Sequence, residues 1–282
     1  MSDVPALLLN DGHHIPQLGF GTWQIPADET AAAVRVALET GYRHLDTAQM
    51  YRNERGVGEG IRAAGVPREE VFLTTKLGND AHEPADAERA FERSLVELGT
   101  DYVDLFLIHW PMIHSYGGDY ATTWRVLEGF RADGRARSIG VSNFRVVDLE
   151  RLRVETEVVP AVNQIEAHPF FPNDEVREYD QAHGIVTEAW SPLAQADVLD
   201  DTVVRQIAKR IGRAPSQVVL RWHLQRGDVV FPKSVTPARI RENFDVLGFE
   251  LDLDDMALLA SLDRGPAGRT GPDPNTFDYR PT

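Results

Sequence analysis

The chain has 282 residues, 42% hydrophobic and 26% charged, which is the composition of a globular protein with ample apolar material for a large core. It contains no cysteine, so disulfides, thiolate nucleophiles and Cys-based zinc or iron–sulfur sites are excluded. A formal net charge of −15 argues against partners whose phosphates must be neutralised, so neither nucleic acid nor an anionic membrane is expected.

The first residues, Met1-Ser2-Asp3-Val4-Pro5, lack the basic flank and apolar stretch of a leader, and a cytoplasmic location is expected. Leu7-Leu8-Leu9-Asn10-Asp11-Gly12 followed by His14-Ile15-Pro16 then reads as a β-hairpin with an Asp-Gly turn. Eight short apolar runs come next, at 18–21, 43–46, 71–76, 103–109, 137–142, 161–164, 185–190 and 229–231. Segments with helical spacing separate them, such as 29–40 with Val34, Val36, Ala37 and Leu38, and 86–98 with Ala90, Phe91, Leu95 and Leu98. This alternation is the signature of parallel βα units, and eight of them predict an α/β fold of the (β/α)8 TIM barrel type, with the hairpin plugging its N-terminal mouth. A helix near 254–262 ends the regular pattern, and a Gly- and Pro-rich tail, 265–282, reads as either a lid or a frayed end. No low-complexity linker divides the chain, so one domain over 1–282 is expected, and nothing in it suggests an interface, which favours a monomer.

In such a barrel, reactive groups collect where strands end, so polar residues closing apolar strands are the candidates. Asp46, Lys76 and His109 close the second, third and fourth runs and must be neighbours on the rim. Tyr51, five residues past Asp46, can return over the same rim. Singly, each has a plain alternative as an ion pair or hydrogen-bonded scaffold. Together they form a device for acid catalysis: an ammonium beside a phenol favours the phenolate and so lowers a reference pKa near ~10. Asp46 would keep Lys76 charged, leaving Tyr51 a usable proton donor.

The stretch Gly41-Tyr42-Arg43-His44-Leu45-Asp46-Thr47-Ala48, continuing through Tyr51, Asn53-Glu54 and Val57-Gly58, resembles the first aldo-keto reductase signature. Val103-Asp104-Leu105 through His109-Trp110-Pro111, Gly140-Val141-Ser142-Asn143-Phe144, Asn163-Gln164-Ile165-Glu166 and Phe231-Pro232-Lys233-Ser234, running on to Arg239 and Glu242-Asn243, are similar to that family as well. Within it, the chain resembles most the prokaryotic 2,5-diketo-D-gluconate reductase branch. The resemblance implies NADPH-dependent reduction of aldehydes, ketones or diketo sugars, with Asp46, Tyr51, Lys76 and His109 as a catalytic tetrad. In that reading Tyr51 protonates the carbonyl oxygen as hydride reaches the carbon, and His109 orients the carbonyl and donates to the developing oxyanion.

A nicotinamide enzyme often carries G-x-G-x-x-G after its first strand, and this chain does not. Gly56-Val57-Gly58-Glu59-Gly60 comes nearest, with the wrong spacing and within a helical pattern, so the cofactor must be held by barrel loops. Ser142, Asn143 and Gln164 suit a carboxamide, although Ser142 or Asn143 could equally cap the next helix. The resemblance implies that Trp190 stacks on the nicotinamide, that Gly21, Thr22, Trp23, Ser191 and Leu193 line the cofactor path, and that Lys233, Ser234, Val235, Arg239, Glu242 and Asn243 hold the 2'-phosphate end. Thr236 is expected to cap the helix bearing Arg239. This cluster lies in a basic stretch, 205–241, which contains one acid, Asp228, up to Arg239 and reads otherwise as an ordinary basic helix surface. Trp23, Met50, Trp110 and His114 are expected to wall the substrate pocket. Two rivals remain: a metal-dependent barrel hydrolase, for which His13-His14 sit at the wrong face and His109 and His168 lack an H-x-H partner, and a non-catalytic nucleotide sensor, which has no need of a Tyr-Lys-Asp device.

Overall fold

The computed structural model describes residues 4–281; residues 1–3, at the start of the stretch that lacks a leader's features, and Thr282 at the end of the tail lie outside them. The predicted hairpin is formed by β1 (Ala6–Leu8) and β2 (His14–Pro16), paired antiparallel with Leu7 opposite Ile15. Eight parallel strands succeed it: β3 (Phe20–Gly21), β4 (His44–Asp46), β5 (Phe72–Leu77), β6 (Val103–Ile108), β7 (Ala136–Ser142), β8 (Val162–Glu166), β9 (Val186–Trp190) and β10 (Val229–Val230). They pair in chain order, and a parallel bridge between Leu18 and Val230 brings the first and last together, so the sheet is a nearly closed barrel.

Helices flank the strands: α1 (Ala27–Thr40), α2 (Glu54–Ala64), α3 (Pro84–Leu98), α4 (Tyr120–Ala132), α5 (Val146–Glu155), α6 (Asp174–Ala182), α7 (Thr202–Ile211), α8 (Pro215–Arg226), α9 (Pro237–Phe244) and α10 (Leu253–Ala260). Several bury an apolar stripe against the sheet's outer face; Phe91 of α3, Phe106 of β6 and Phe130 of α4 meet with centroids 4.3 and 4.5 Å from Phe91. The glycines at 56–60 are helix contacts. A β-carbon on Gly58 would lie 2.1 Å from Leu98 O, and ones on Gly56 and Gly60 would meet Thr30 and Val34 of α1, so these glycines let α2 press against its neighbours.

Successive side chains of a strand point to opposite faces, and the inward set divides the barrel into two tiers. At the N-terminal end Phe72, Leu105, Leu107, Val162 and Val229 pack with Leu9 and Ile15 of the hairpin into an apolar floor. Above it, toward the C-terminal ends, the inward positions are polar: His44, Asp46, Thr74, Lys76, Gln164 and Glu188 are all buried. The plug therefore closes the N-terminal mouth beneath this tier, and charges buried there are weakly screened.

Candidate active site

Asp46, Lys76 and His109 come together at the C-terminal rim, because β4, β5 and β6 are adjacent and in register, with Asp46 opposite Thr74 and Lys76 opposite Leu107. Lys76 Nζ donates to Asp46 Oδ1 at 2.7 Å, to Thr47 O at 2.8 Å and to Tyr51 Oη at 3.4 Å. Tyr51 reaches that point on a single 3-10 turn, Gln49–Tyr51, and its ring meets His109 edge-on at 5.8 Å. Gln49 holds the turn by donating to Ala90 O and Ser94 Oγ and accepting from Gly78 N.

Burial opposes charge on Lys76, but Asp46 and Tyr51 outweigh it and hold its pKa above the ordinary value. The expectation that Lys76 makes Tyr51 more acidic than a free tyrosine is not met. Burial raises the phenol's pKa by more than the ammonium lowers it, so Tyr51 keeps its proton in the resting protein. His109 is pushed well below its ordinary value by burial and then by Lys76, and is a neutral imidazole whose Nδ1 has no partner among the described residues.

Around this centre the strand ends are tied to one another. Asn143 Nδ2 donates to His109 O and Ser142 Oγ, and its Oδ1 accepts from Trp190 Nε1 at 2.9 Å; Ser142 Oγ donates to Gln164 O. The helix following β7 has Arg145 at its N-cap, so Ser142 and Asn143 do not cap it. Gln164 Nε2 spans two carboxyls, Asp46 Oδ2 at 2.9 Å and Glu188 Oε2 at 2.7 Å. Gly21 and Thr22 are buried beside β4, with Thr22 Oγ1 donating to Asp46 O; a β-carbon on Gly21 would lie 2.5 Å from Phe231 O. Ser191 and Leu193 are half-buried beyond Trp190.

At the start of α9 the structure corrects one detail: Thr236 is the N-cap residue, but its side chain caps nothing, and Ser234 Oγ instead accepts from Thr236 N. Most of the basic stretch is an ion-paired surface, with Arg205, Arg210, Arg213, Arg221 and Arg226 facing Asp200, Asp255, Asp245, Glu250 and Asp174. Lys233 and Arg239 are exposed and form no ion pair among the described residues. Val235 is exposed, Asn243 is buried, and Glu242 accepts from Ser216 Oγ.

The tail proves the least legible part of the site. Its described residues fold back over the rim and are tied to it at several points. Phe277 packs on Trp110 with centroids 4.1 Å apart, Asn275 O accepts from exposed His114, Asp278 bonds Ser115, and Tyr279 O accepts from Asn79 Nδ2. Buried Glu166 pins the inner end: its Oε1 accepts from Thr270 N at 2.5 Å, Thr270 Oγ1 at 2.8 Å and Gly271 N at 3.1 Å. Gly271 lies against Trp190, where a β-carbon would come 2.3 Å from the indole. Of the other expected pocket residues, Trp23 is exposed, and Met50 faces a side cleft of about 410 Å³ with Arg52, Arg93 and Pro281. No spacing signal marked Phe277; the aromatic in a Gly/Pro-rich tail was the one available hint.

A buried lysine shared by an aspartate and a tyrosine at the rim of a parallel barrel defines a class of barrel enzyme equipped for proton transfer. The particular family follows from comparison with known proteins: residues 17–264 match the model of the aldo/keto reductase family, and the chain belongs to it. It is 50% identical to an aldo-keto reductase of Mycolicibacterium smegmatis, over 98% of each chain. It is 48% identical to the methylglyoxal reductase DkgA of Yersinia pestis, over 98% of this chain and 99% of that one. Among solved structures, a mutant of Gox0644 in complex with NADPH superposes with a TM-score of 0.94 at 47% identity, covering 99% of this chain and 100% of the other.

Proposed function

We propose that this chain uses NADPH to reduce small aldehydes, ketones and dicarbonyls, diketo sugars included, with Tyr51 as general acid. The observation that carries the reading is the buried Lys76 ammonium, bonded at once to the Asp46 carboxylate and the Tyr51 hydroxyl. The chemistry a bound NADPH supplies is delivery of a hydride to the carbonyl carbon. Tyr51, which holds its proton at neutral pH because it is buried, gives that proton to the carbonyl oxygen. Lys76 then faces the phenolate left behind, and Asp46 keeps Lys76 charged throughout. His109, neutral, turns an N–H toward the carbonyl oxygen and fixes its direction.

The residues present fit the cofactor. Both hydrogens of the Asn143 amide are spent, whereas Asn143 Oδ1 retains a lone pair and Gln164 Oε1 accepts nothing among the described residues, which suits the doubly donating carboxamide of nicotinamide. The tie from Asn143 holds Trp190 as a stacking surface, and Gly21, Thr22, Trp23, Ser191 and Leu193 would flank the path. An uncapped helix N-terminus beside unpaired Lys233 and Arg239, with Ser234, Val235, Glu242 and Asn243 about it, suits the 2'-phosphate. Trp23, Trp110 and His114 would wall the substrate end, whereas Met50, expected beside them, faces the side cleft.

The relative named for methylglyoxal makes that dicarbonyl the first substrate to try. Loss of NADPH absorbance on adding methylglyoxal or a diketone tests the reading; no turnover with any carbonyl would favour a nucleotide sensor. We also read the whole chain as one barrel domain working as a cytoplasmic monomer without nucleic acid or membrane. Among the described residues no helix is long and apolar enough to cross a membrane, and light scattering on the purified chain checks its state.

A further inference from the structure

Among the buried ionisable groups outside the tetrad, Glu188 lies directly beneath it. Glu188 lies at the middle of β9, fully buried, two residues before Trp190 and therefore on the same inward face. Its Oε2 accepts from the Gln164 amide that also holds Asp46, while its Oε1 has no hydrogen-bond partner among the described residues and stands 3.7 Å from His44 Nε2.

The proton positions follow from the partners. His44 Nδ1 faces Pro16 O at 3.3 Å, and a carbonyl only accepts, so that nitrogen carries the hydrogen. Burial lowers the His44 pKa to about 3, so the ring is neutral and Nε2 is a bare lone pair, which accepts from Thr74 Oγ1. An ionised Glu188 would set a second acceptor against it with no donor between them; a proton on Oε1 makes the contact attractive. Lys76 bonds to Asp46 and not to Glu188, so of the two carboxyls sharing Gln164, Asp46 is the ionised one. The groups facing Glu188 are His44 and Asp46 from β4, Lys76 from β5 and Tyr51 from the loop after β4, whereas β8 and β10 present uncharged Gln164 and Val229.

We infer that Glu188 is a positioning residue for the reaction: held as the neutral acid beneath the tetrad, it fixes the Gln164 amide on Asp46 and limits the buried charge under Tyr51 to one ion pair. This rests on the reading of Tyr51 as proton donor. Burial, and then the charge of Asp46, raise Glu188 to about 8, within reach of ordinary assay conditions. Once ionised, Glu188 adds a negative charge that makes Tyr51 hold its proton more tightly, and reduction slows.

Glu188→Gln keeps the acceptor for Gln164 and sets an N–H beside His44 Nε2, without the titration. The infrared C=O band of a protonated carboxylic acid near neutral pH should lose one component in E188Q; an unchanged band overturns the inference. The native state keeps a proton up to about 8 that an ordinary glutamate gives up at 4.5, so native stability falls as pH rises between those values. The ratio of wild-type to E188Q unfolding constants should therefore grow by about tenfold per pH unit across that window, and a constant ratio overturns the inference. In turnover, the wild-type kcat should fall as pH passes about 8; E188Q should lack that inflection, and one retained there counts against the proposal. Glu188→Met provides the same infrared and unfolding readouts if the amide does not fold. A Tyr51→Phe variant that still turns over would sink the acid reading while leaving the infrared and unfolding results intact. An inactive Tyr51→Phe with unchanged band and ratio would sink this inference alone.

Discussion

Lys76→Met takes the cation out of a pair whose side chains are 0% and 2% exposed and whose atoms lie 2.7 Å apart. Methionine fills most of the lysine stem, so lost packing contributes little. What remains is Asp46 without a counter-charge and Thr47 O without its donor. Removing one partner of a buried ion pair costs about 3–5 kcal/mol, and with a urea slope of about 3 kcal/mol per M the midpoint falls by roughly 1–1.7 M. The cost depends on pH in a direction fixed by Asp46, whose carboxyl burial already raises. Without Lys76 it rises further, so the native variant keeps a proton the unfolded chain has given up. That contribution is complete below the unfolded carboxyl's value and is lost as pH rises through the raised native one; the deficit therefore grows as pH rises from the ordinary carboxyl range through the raised native value. Replacing both members, Lys76→Met with Asp46→Asn, should recover at least about 2 kcal/mol relative to Lys76→Met alone. Urea unfolding followed by tryptophan fluorescence across that pH range is measured on four proteins: the wild type, Lys76→Met, Asp46→Asn and the double variant. A deficit under about 1 kcal/mol and flat with pH, or a double variant as unstable as the sum of the singles, refutes the coupled pair.

Gly58→Ala should destabilise by about 1–3 kcal/mol, because its β-carbon meets backbone of Leu98; Gly129→Ala, on α4 with open space around it, should stabilise by about 0.5–1 kcal/mol, and thermal melts of the two compare them directly. Arg239→Ala should weaken NADPH binding roughly 10- to 100-fold and NADH binding far less; equal losses in titrations of protein fluorescence would remove the phosphate role. Glu166→Ala takes the acceptor from three tail donors, so limited proteolysis should cut near Thr270 much faster than in the wild type while the barrel resists; an unchanged cleavage rate would show that the tail is held by its outer contacts alone.

The barrel was legible because apolar runs alternating with helical stripes leave few other packings, and because polar residues closing consecutive parallel strands must be neighbours. Asp46, Lys76 and His109 follow from that rule alone. The balance at Tyr51 was not legible: the sign of its pKa shift depends on how completely the hydrophobic floor and the tail exclude water, which no local pattern encodes. Glu188 was partly legible, since strand alternation puts it on the inner face with Trp190, but its meaning needs the cross-strand register that sets Gln164 between two carboxyls. The tail's return across the rim rests on contacts more than a hundred residues apart, such as Thr270 with Glu166 and Asn275 with Arg145, and composition there pointed as readily to fraying.

In the proposed reaction the Tyr51 hydroxyl gives up the proton. Tyr51→Phe keeps the ring against His109 and removes only that hydroxyl, so single-turnover reduction of methylglyoxal should slow by about 10²- to 10⁴-fold, with NADPH binding, read by fluorescence, unchanged. Turnover within a few-fold of wild type in that variant would contradict the account.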